Sequence, residues 1–381
     1  MKGSRVAIVG VGETEYVRAT ERPLMALVVE ACRTAVEDAG LTLADIDGLV
    51  GASRLPMDEV AAALGLEETP FTAQCDVVAG AATAGSSLIL AQFAIEAGLA
   101  TAVLVPYGIK CSHPGGPYAF HATDPLKADL EMPVGYFGQP IYFAAMAQRY
   151  RHEHGLTEEE LSAVPRAARA WAQLNPRAQK REPLDFAAYQ RSPMIATPLR
   201  AADCCLMTDG ACAYVVTSVA RARDLRQIPA VISGVAVGAN PLPQSMILSQ
   251  NADVLAFPAA ESSRKAYAMA GIEAKDVDVA QVYDCFSIST IAQAEMMGLC
   301  EPGEGGRFFN AGHTAPGGRM PINTSGGHLS GGYVPGANLV VEAVRQLRGE
   351  RDAAQVPGVE VSIAGGLGGN AHGVAVFTRA H

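Results

Sequence analysis

The chain has 381 residues, of which 49% are hydrophobic and 18% charged, and its 39 acidic residues outnumber 29 Lys and Arg to give a formal charge of −10. So apolar a composition excludes a disordered chain, and the acidic balance argues against binding nucleic acid, whose phosphates need a basic surface. At roughly 150 residues per domain, the length predicts two or three domain-sized units.

The cysteines and the most apolar segment narrow the class of protein further. Eight cysteines are spread along the chain, no secretory signal precedes them, and no C-x-x-C or H-E-x-x-H metal pattern occurs. We therefore expect a cytoplasmic protein with free thiols and no metal site. Residues 88–105 form the most apolar window, but Gln92, Glu96 and Gly98 interrupt it. This window predicts a buried helix followed by a strand rather than a membrane span.

Strands and helices alternate from the start of the chain. A β-branched run predicts a strand at Arg5–Val11, and helical spacing predicts a helix at Leu24–Ala39 that ends before a glycine. A second helix is predicted at Gly85–Ala97, and a buried strand at Thr101–Pro106. This alternation predicts an α/β fold built on a largely parallel, covered sheet.

An internal repeat relates two distant parts of the chain. Residues 33–47 and 264–278 share Arg, two Ala, Gly and two Asp in register. Each copy predicts a helix that closes on Ala-Gly, a turn, and a strand, at Gly48–Gly51 and Val279–Val282 respectively. Copies so far apart indicate two homologous α/β halves rather than a solenoid.

The repeat divides the chain into an N-terminal half, residues 1–230, and a C-terminal half, residues 231–381. Residues about 110–200 of the first half are richer in proline and charge than their surroundings. We expect an inserted loop region there, with a helix candidate at Ile141–His154 and a capped, solvated helix start at Glu158 after Leu156 and Thr157.

Polar residues and glycines cluster in segments that could form an active site or a ligand-binding site. Tyr283, Asp284 and Cys285 directly follow a predicted buried strand, the position at which α/β proteins place ligands. Glycine-rich segments at 320–338 and 364–370 would let backbone N–H groups approach a ligand. Tight turns between core elements explain the same glycines equally well.

Several segments together resemble the thiolase superfamily, most closely the sterol-carrier-protein-type thiolases. The resemblance spans nearly the whole chain and keeps the segments in order. It implies a thiolase fold, in which two duplicated βαβαβαββ halves form a five-layer αβαβα arrangement with a loop region inserted in the first half. The matching segments are Asn175-Pro-Arg-Ala, Ser192-Pro-Met-Ile-Ala-Thr-Pro-Leu, Asp209-Gly-Ala-Cys-Ala, Tyr283-Asp-Cys-Phe, Asn323-Thr-Ser-Gly-Gly and Gln346-Leu-Arg-Gly.

One departure from the family concerns the nucleophile. A thiolase uses a cysteine at the N-terminus of a buried helix, where the helix dipole lowers the pKa of the thiol. Ala82 occupies that position here, and Cys75, seven residues upstream, is poorly placed to substitute. Ordinary thiolysis or Claisen condensation is therefore not expected.

Two tyrosines stand where the family has histidines. Tyr283 replaces the histidine of His-Asp-Cys-Phe, and Tyr333 replaces that of Gly-His-Pro. This pattern resembles the thiolase-like aldolases of steroid side-chain degradation, which cleave a β-hydroxyacyl-CoA carrying a tertiary alcohol into a ketone and a shorter acyl-CoA. A phenol can donate a hydrogen bond to an oxyanion, or act as a base when its pKa is lowered.

The resemblance implies a role for each of these residues. Retro-aldol cleavage needs a base for the β-hydroxyl and stabilisation of the thioester enolate, but no covalent nucleophile. Tyr283 and Tyr333 would share these two tasks, in an order that the sequence leaves open. Cys285 would protonate the enolate carbon, unless it is simply a buried hydrophobic cysteine. His328 is assigned to packing.

The same resemblance implies a substrate site and partners. Coenzyme A enters as part of the substrate, and no cofactor is implied. The implied products are those best known for the family, a 17-keto steroid and propionyl-CoA. The expected partner is an OB-fold and zinc-ribbon protein, often fused to a hydratase, that joins a homodimer of this chain in a heterotetramer. The positions implied for substrate or oxyanion binding are Asn323, Gly326, Gly327, Gly365, Gly366 and Gly368.

Two other functions remain open from the sequence. The chain could be a thiolase that uses a displaced cysteine such as Cys75 or Cys285. It could also be a non-catalytic scaffold with a thiolase fold that presents substrate to a partner.

Overall fold

The computed structural model describes residues 6–52, 55–75, 81–112, 127–136, 138–240, 253–369 and 371–380. Most of the β-branched and apolar runs of these ranges form strands of one large sheet. The strands are β1 Val6–Glu13, β2 Gly48–Ala52, β3 Phe71–Cys75, β4 Ala102–Lys110, β5 Met194–Ala196, β6 Leu199–Arg200, β7 Asp209–Ser218, β8 Ala230–Ala239, β9 Val279–Val282, β10 Val361–Gly368 and β11 Ala371–Arg379.

The large sheet has nine strands in the order β3-β2-β4-β7-β1-β8-β11-β10-β9. Strands of the two predicted halves meet at β1 and β8, which pair antiparallel through Ala7 and Val231. The prediction of a largely parallel sheet is wrong for the described strands, because only β2–β3, β2–β4 and β9–β10 pair in parallel. The reason is that each half ends in a strand that returns antiparallel to its neighbours, β7 in the first half and β11 in the second.

Helices cover the sheet on both sides and fill the space between the halves. Helices α3 and α11 pack against strands of both halves and form the central layer, whereas α1 and α8 cover the outer faces. These contacts agree with the five-layer αβαβα arrangement that the resemblance implies. The helices are α1 Leu24–Asp38, α2 Met57–Leu64, α3 Ala81–Glu96, α4 Gln139–His154, α5 Glu158–Leu174, α6 Phe186–Arg191, α7 Val219–Ala222, α8 Ala259–Ala270, α9 Ser287–Met296, α10 Gly305–Asn310 and α11 Ala337–Arg348.

The two copies of the sequence repeat fold alike. After α1 and after α8 the chain makes a short helical turn, Leu43–Asp45 in one copy and Ala274–Asp276 in the other. In each turn the last carboxylate accepts a hydrogen bond from the backbone N–H three residues earlier, at 2.9 and 2.8 Å. Each turn leads into a strand, β2 or β9, as the repeat predicted.

The insertion is more helical than the sequence indicated. The predicted helix is present as α4, and the helix start predicted at Glu158 is the start of α5, capped by Thr157. Helix α6 and the small β5–β6 hairpin follow them. The prolines of this region do not prevent helices. Pro140 lies in the first turn of α4, where the missing N–H of proline leaves no helical hydrogen bond unmade, and Pro165 is tolerated inside α5. Among the described residues, no helix is both long and apolar enough to cross a membrane.

Candidate active site

Tyr283 and Tyr333 lie side by side although fifty residues separate them in the chain. Tyr283 directly follows β9 and is 6% exposed, whereas Tyr333 precedes α11 and is only half-buried. Their hydroxyl oxygens are 3.0 Å apart, within hydrogen-bond distance, and their ring centroids are 6.3 Å apart. The structure thus brings together the two side chains that the sequence singled out, at the C-terminal end of a buried strand.

The backbone of Tyr283 is held from two directions. Its N–H donates to the carbonyl oxygen of Gly365 at 2.9 Å, and its own carbonyl accepts from Gln293 Nε2 at 2.8 Å. The Gln293 Oε1 atom in turn accepts from the N–H of Leu367 at 2.8 Å. A Cβ atom on Gly366 would lie 2.0 Å from Tyr283 Cβ, so only glycine lets β10 approach the tyrosine this closely.

Tyr333 is positioned by residues that the sequence did not indicate. Its N–H donates to Thr208 Oγ1 at 3.0 Å, and that hydroxyl donates to Gln179 Oε1 at 2.8 Å. The backbone N–H of Gln179 donates to the carbonyl oxygen of Gly331 at 2.8 Å. Gln179 of the insertion therefore helps to hold the loop that carries Tyr333. No sequence motif around Gln179 or Thr208 indicates these contacts.

Burial raises the pKa of both phenols well above its ordinary value. The hydrogen bond between the two hydroxyls lowers the pKa of Tyr333 and raises the pKa of Tyr283. Within the pair, a hydrogen bond donated by Tyr283 therefore favours the negative charge on Tyr333.

Cys285 lies two residues beyond Tyr283 and is buried. Its thiol is 3.4 Å from Ser289 Oγ, and its carbonyl oxygen accepts a hydrogen bond from the N–H of Cys205 at 2.9 Å. Burial raises the pKa of Cys285 to about 12. The side chain is therefore a protonated thiol at neutral pH, which suits a proton donor better than a nucleophile.

The glycine-rich turn beside β9 is built around Asn323. Both polar atoms of its side chain are occupied, since Oδ1 accepts from the N–H of Val282 at 2.7 Å and Nδ2 donates to the Val282 carbonyl at 2.8 Å. The N–H of Gly326 donates to the Asn323 carbonyl at 2.8 Å. Asn323 thus braces the end of β9, and substrate contacts of this turn, like those of Gly327 and Gly368, stay predictions.

The position of the family's nucleophile is at the start of α3. Ala82 is fully buried there, and a Cβ on Gly373 of β11 would lie 3.0 Å from Ala82 Cα. Cys75 lies at the end of β3, and residues 76–80 between it and α3 are outside the described residues.

His328 is buried, as its assignment to packing predicted, but its surroundings are informative. The ring centroid of His328 is 5.0 Å from that of Tyr283 and 5.3 Å from that of Tyr333, both in edge-on contact. A single histidine among glycines gives no sequence signal for such a position.

Comparison with known proteins places this arrangement in a family. The chain is 36% identical to the 17-hydroxy-3-oxo-4-pregnene-20-carboxyl-CoA lyase of Mycobacterium tuberculosis, over 97% of this chain and 98% of the relative. It is 33% identical to a steroid side-chain-cleaving aldolase of Thermomonospora curvata, over 90% of each chain. The chain belongs to the thiolase superfamily. Within the superfamily it belongs with the thiolase-like aldolases, which are carbon–carbon lyases.

Other comparisons agree with this family. Residues 243–379 match the family described as thiolase C-terminal domain-like. An acetyl-CoA acetyltransferase of Methanothermobacter thermautotrophicus is 32% identical over 98% of this chain and 99% of its own. Among solved structures, the Ltp2-ChsH2(DUF35) aldolase superposes with a TM-score of 0.91 at 30% identity, covering 100% of this chain and 99% of the other.

Proposed function

We propose that this aldolase cleaves a β-hydroxyacyl-CoA with a steroid-type tertiary alcohol into a ketone, such as a 17-keto steroid, and a short acyl-CoA, such as propionyl-CoA. The observation that carries the proposal is the 3.0 Å contact between the hydroxyls of Tyr283 and Tyr333. The pair supplies a base and a hydrogen-bond donor at one point, which is what a retro-aldol reaction requires. The activities of the two relatives above, a steroid carboxyl-CoA lyase and a steroid side-chain-cleaving aldolase, support the substrate class.

The greater exposure of Tyr333, compared with 6% for Tyr283, supports giving Tyr333 the role of base. As phenolate, Tyr333 takes the proton of the tertiary hydroxyl, the Cα–Cβ bond breaks, and its electron pair forms the thioester enolate as the carbonyl of the ketone forms. Tyr283 stays protonated; its hydrogen bond favours the phenolate of Tyr333 before the proton is taken up, and it then holds the enolate oxygen together with backbone N–H groups. Cys285 gives its proton to the enolate carbon, and the proton taken up by Tyr333 returns to the Cys285 thiolate, so the balance closes.

The experiment is to replace each phenol by Phe and to measure release of ketone and short acyl-CoA. Loss of a catalytic base typically costs about 10²–10⁴ in rate, so Tyr333→Phe should lower kcat by that order. Tyr283→Phe should cost less, because it removes a donor to the base rather than the base. Tyr267→Phe is the matched control, since this buried hydroxyl donates to the Met297 carbonyl, at 3.0 Å, rather than to either site phenol. Wild-type rates in both site variants would overturn the mechanism.

A thiolase that uses a displaced cysteine is less well supported. A thiolase nucleophile needs a lowered thiol pKa, whereas burial raises that of Cys285 to about 12. Incubation with an acyl-CoA followed by mass spectrometry tests this function directly. A stable acyl-cysteine adduct at Cys75 or Cys285 would contradict the aldolase proposal.

A partner protein is proposed from the similarity to a solved aldolase structure. The Ltp2-ChsH2(DUF35) structure is an aldolase whose name joins two proteins, and we infer that this chain likewise works with an OB-fold and zinc-ribbon partner. We expect a homodimer of this chain within a heterotetramer. Co-expression with the partner, followed by size-exclusion chromatography with light scattering, should give a complex with two copies of each chain. A chain that stays dimeric and equally active without partner would refute this assembly.

A further inference from the structure

A buried carboxylate just after the insertion is bound to the helix that follows Cys285. Asp203 ends the short helical turn Ala201–Asp203 and is fully buried. Its Oδ1 atom accepts a hydrogen bond from the hydroxyl of Ser287 at 2.7 Å. Ser287 is the first residue of α9 and is also fully buried. Because the N-terminus of a helix carries a partial positive charge, a carboxylate is favourable at this point.

The backbone beside this contact is paired as well. Cys204 and Phe286 form an antiparallel bridge, and the N–H of Cys205 donates to the carbonyl oxygen of Cys285 at 2.9 Å. Two short segments of the chain therefore run side by side in opposite directions. Cys285 is held at its carbonyl, and two residues further on the carboxylate holds the hydroxyl of Ser287.

The carboxylate of Asp203 is held in turn by two other donors. Its Oδ2 atom accepts hydrogen bonds from the hydroxyl of Tyr189 on α6 and from the N–H of Arg200, both at 2.8 Å. Burial raises the pKa of Asp203 to about 6, although its three hydrogen bonds and the Arg200 guanidinium act in the opposite direction. Since the folded-state pKa lies above the ordinary value of 3.8, the stability linked to this group is complete below pH 3.8 and is lost as the pH rises through 6. Ionisation at neutral pH thus works against folding, and stability alone does not account for a carboxylate at this position.

We propose that Asp203 is a positioning residue: by holding Ser287 it fixes the start of α9, so that the Cys285 thiol stays within reach of the enolate carbon. The inference rests on the proposed function, in which Cys285 gives its proton to that carbon. A proton donor must lie within hydrogen-bond reach of the atom that receives the proton, and a displacement of about 1 Å can cost about 10²-fold in rate. The thiol also contacts the first turn of α9, because Cys285 Sγ lies 3.4 Å from Ser289 Oγ. A shift of the helix start therefore moves the thiol.

The variant that tests this link is Ser287→Ala, which removes one hydrogen bond and leaves Asp203 its other two donors. Alanine is a strong helix former, so the variant is expected to fold. The reaction is run in deuterium oxide and stopped with acid in ordinary water, from which an enolate still on the enzyme takes up a light proton. Deuterium at the α-carbon of the acyl product therefore measures the fraction that the protein itself has protonated.

The expected result separates the two halves of the reaction. In single turnovers stopped at successive times, deuterium uptake should be slower by about 10–10² in Ser287→Ala. Ketone formation should keep its wild-type rate, because Tyr333 starts the cleavage without the thiol. A variant that merely loosens the structure would slow both.

Two further variants serve as controls. Ser262→Ala removes another fully buried serine hydroxyl near the start of a helix, α8, where it lies 2.7 Å from His372 Nδ1, and should leave both rates unchanged. Asp203→Asn is the conservative variant, because an amide and a hydroxyl can each donate or accept and so keep a hydrogen bond to Ser287. It lacks the cost of a buried charge, is expected to fold, and should retain most of the deuterium uptake that Ser287→Ala loses.

A double variant shows whether the effect passes through Cys285. Added to Cys285→Ala, Ser287→Ala should slow deuterium uptake no further, because the donor that it positions is already absent. Equal slowing of ketone formation and deuterium uptake in Ser287→Ala, or effects that multiply in the double variant, would overturn the proposal. Cleavage with unchanged deuterium uptake in Ser287→Ala would refute the role of Asp203 alone. If the wild-type complex cleaves no steroid-type substrate, the proposed function fails, and this inference fails with it.

Discussion

Replacing Glu13 tests how firmly the loop that carries Tyr333 is anchored. Glu13 lies at the end of β1, where its carboxylate pairs with Arg345 of α11 and, at 3.2 Å, with Arg177 of the insertion. Its Oε2 atom also accepts a hydrogen bond from the hydroxyl of Tyr16 at 3.0 Å. The Tyr16 ring packs against Gly332, where a Cβ would come within 2.6 Å of it, so Glu13 connects to the residue before Tyr333.

The expected magnitude follows from the charge pairing. Burial raises the pKa of Glu13, but the paired arginines lower it by more, to about 2 from an ordinary value of 4.5. A shift of this size corresponds to about 3 kcal/mol of stability at neutral pH. Because the folded-state pKa is the lower one, this stability is complete above pH 4.5 and is lost as the pH falls towards 2. Breaking a buried pair by removing one partner typically costs about 3–5 kcal/mol, in agreement.

Glu13→Gln should therefore lower the midpoint of cooperative thermal unfolding at pH 7 by about 4 °C, given about 2.1 cal/mol/K of unfolding entropy per residue. The variant should also lose part of the wild-type decline in stability between pH 4.5 and 2. Glu261→Gln is the control, because Glu261 pairs with Arg264 and Lys265 on the surface of α8, where such pairs contribute little. If Glu13→Gln unfolds no earlier than Glu261→Gln, the reasoning is wrong.

Three further changes probe the site itself. Gly366→Ala should displace Tyr283, lower kcat and reduce the free energy of unfolding by about 1–3 kcal/mol through overpacking. Gly65→Ala is the control and should keep the wild-type kcat, because a Cβ on Gly65 would meet nothing within 4 Å. Equal kcat values in the two variants would contradict the packing argument. Cys285→Ala should slow acyl-CoA release and exchange of solvent deuterium into the acyl product, and Cys285→Ser should restore part of both; unchanged exchange in Cys285→Ala would exclude it as the proton donor. Gln293→Leu should lower both kcat and the midpoint of thermal unfolding, because the Tyr283 carbonyl and two other backbone groups lose their buried hydrogen-bond partner. A variant as stable and active as wild type would show that the Gln293 side chain does not position Tyr283.

The sequence predicted local elements well and pairing directions poorly. The helix predicted at Leu24–Ala39 is present to within a residue, because its apolar spacing and the following glycine are local signals. Whether a strand pairs parallel or antiparallel depends on where the chain returns from, which local alternation does not encode. The same limit applies to the insertion, where proline favours loops by local preference although Pro140 and Pro165 both fit helices.

The sequence likewise predicted only part of the site. The convergence of Tyr283 and Tyr333 followed from the family resemblance, since both positions sit at fixed places in a known fold. The residues that hold them did not, because Gln179, Thr208 and His328 act through contacts made only in the folded chain. Ordinary residue types in unremarkable segments carry no signal until tertiary structure brings them to a functional pair.

The two departures from the thiolase pattern are physically connected. A thiolase forms an acyl-enzyme on a low-pKa cysteine, but here the position at the start of α3 is Ala82, packed against Gly373, and Cys285 is a protonated thiol. A reaction without an acyl-enzyme needs only proton movements, and in the proposed mechanism the hydrogen-bonded phenols and the Cys285 thiol would provide them.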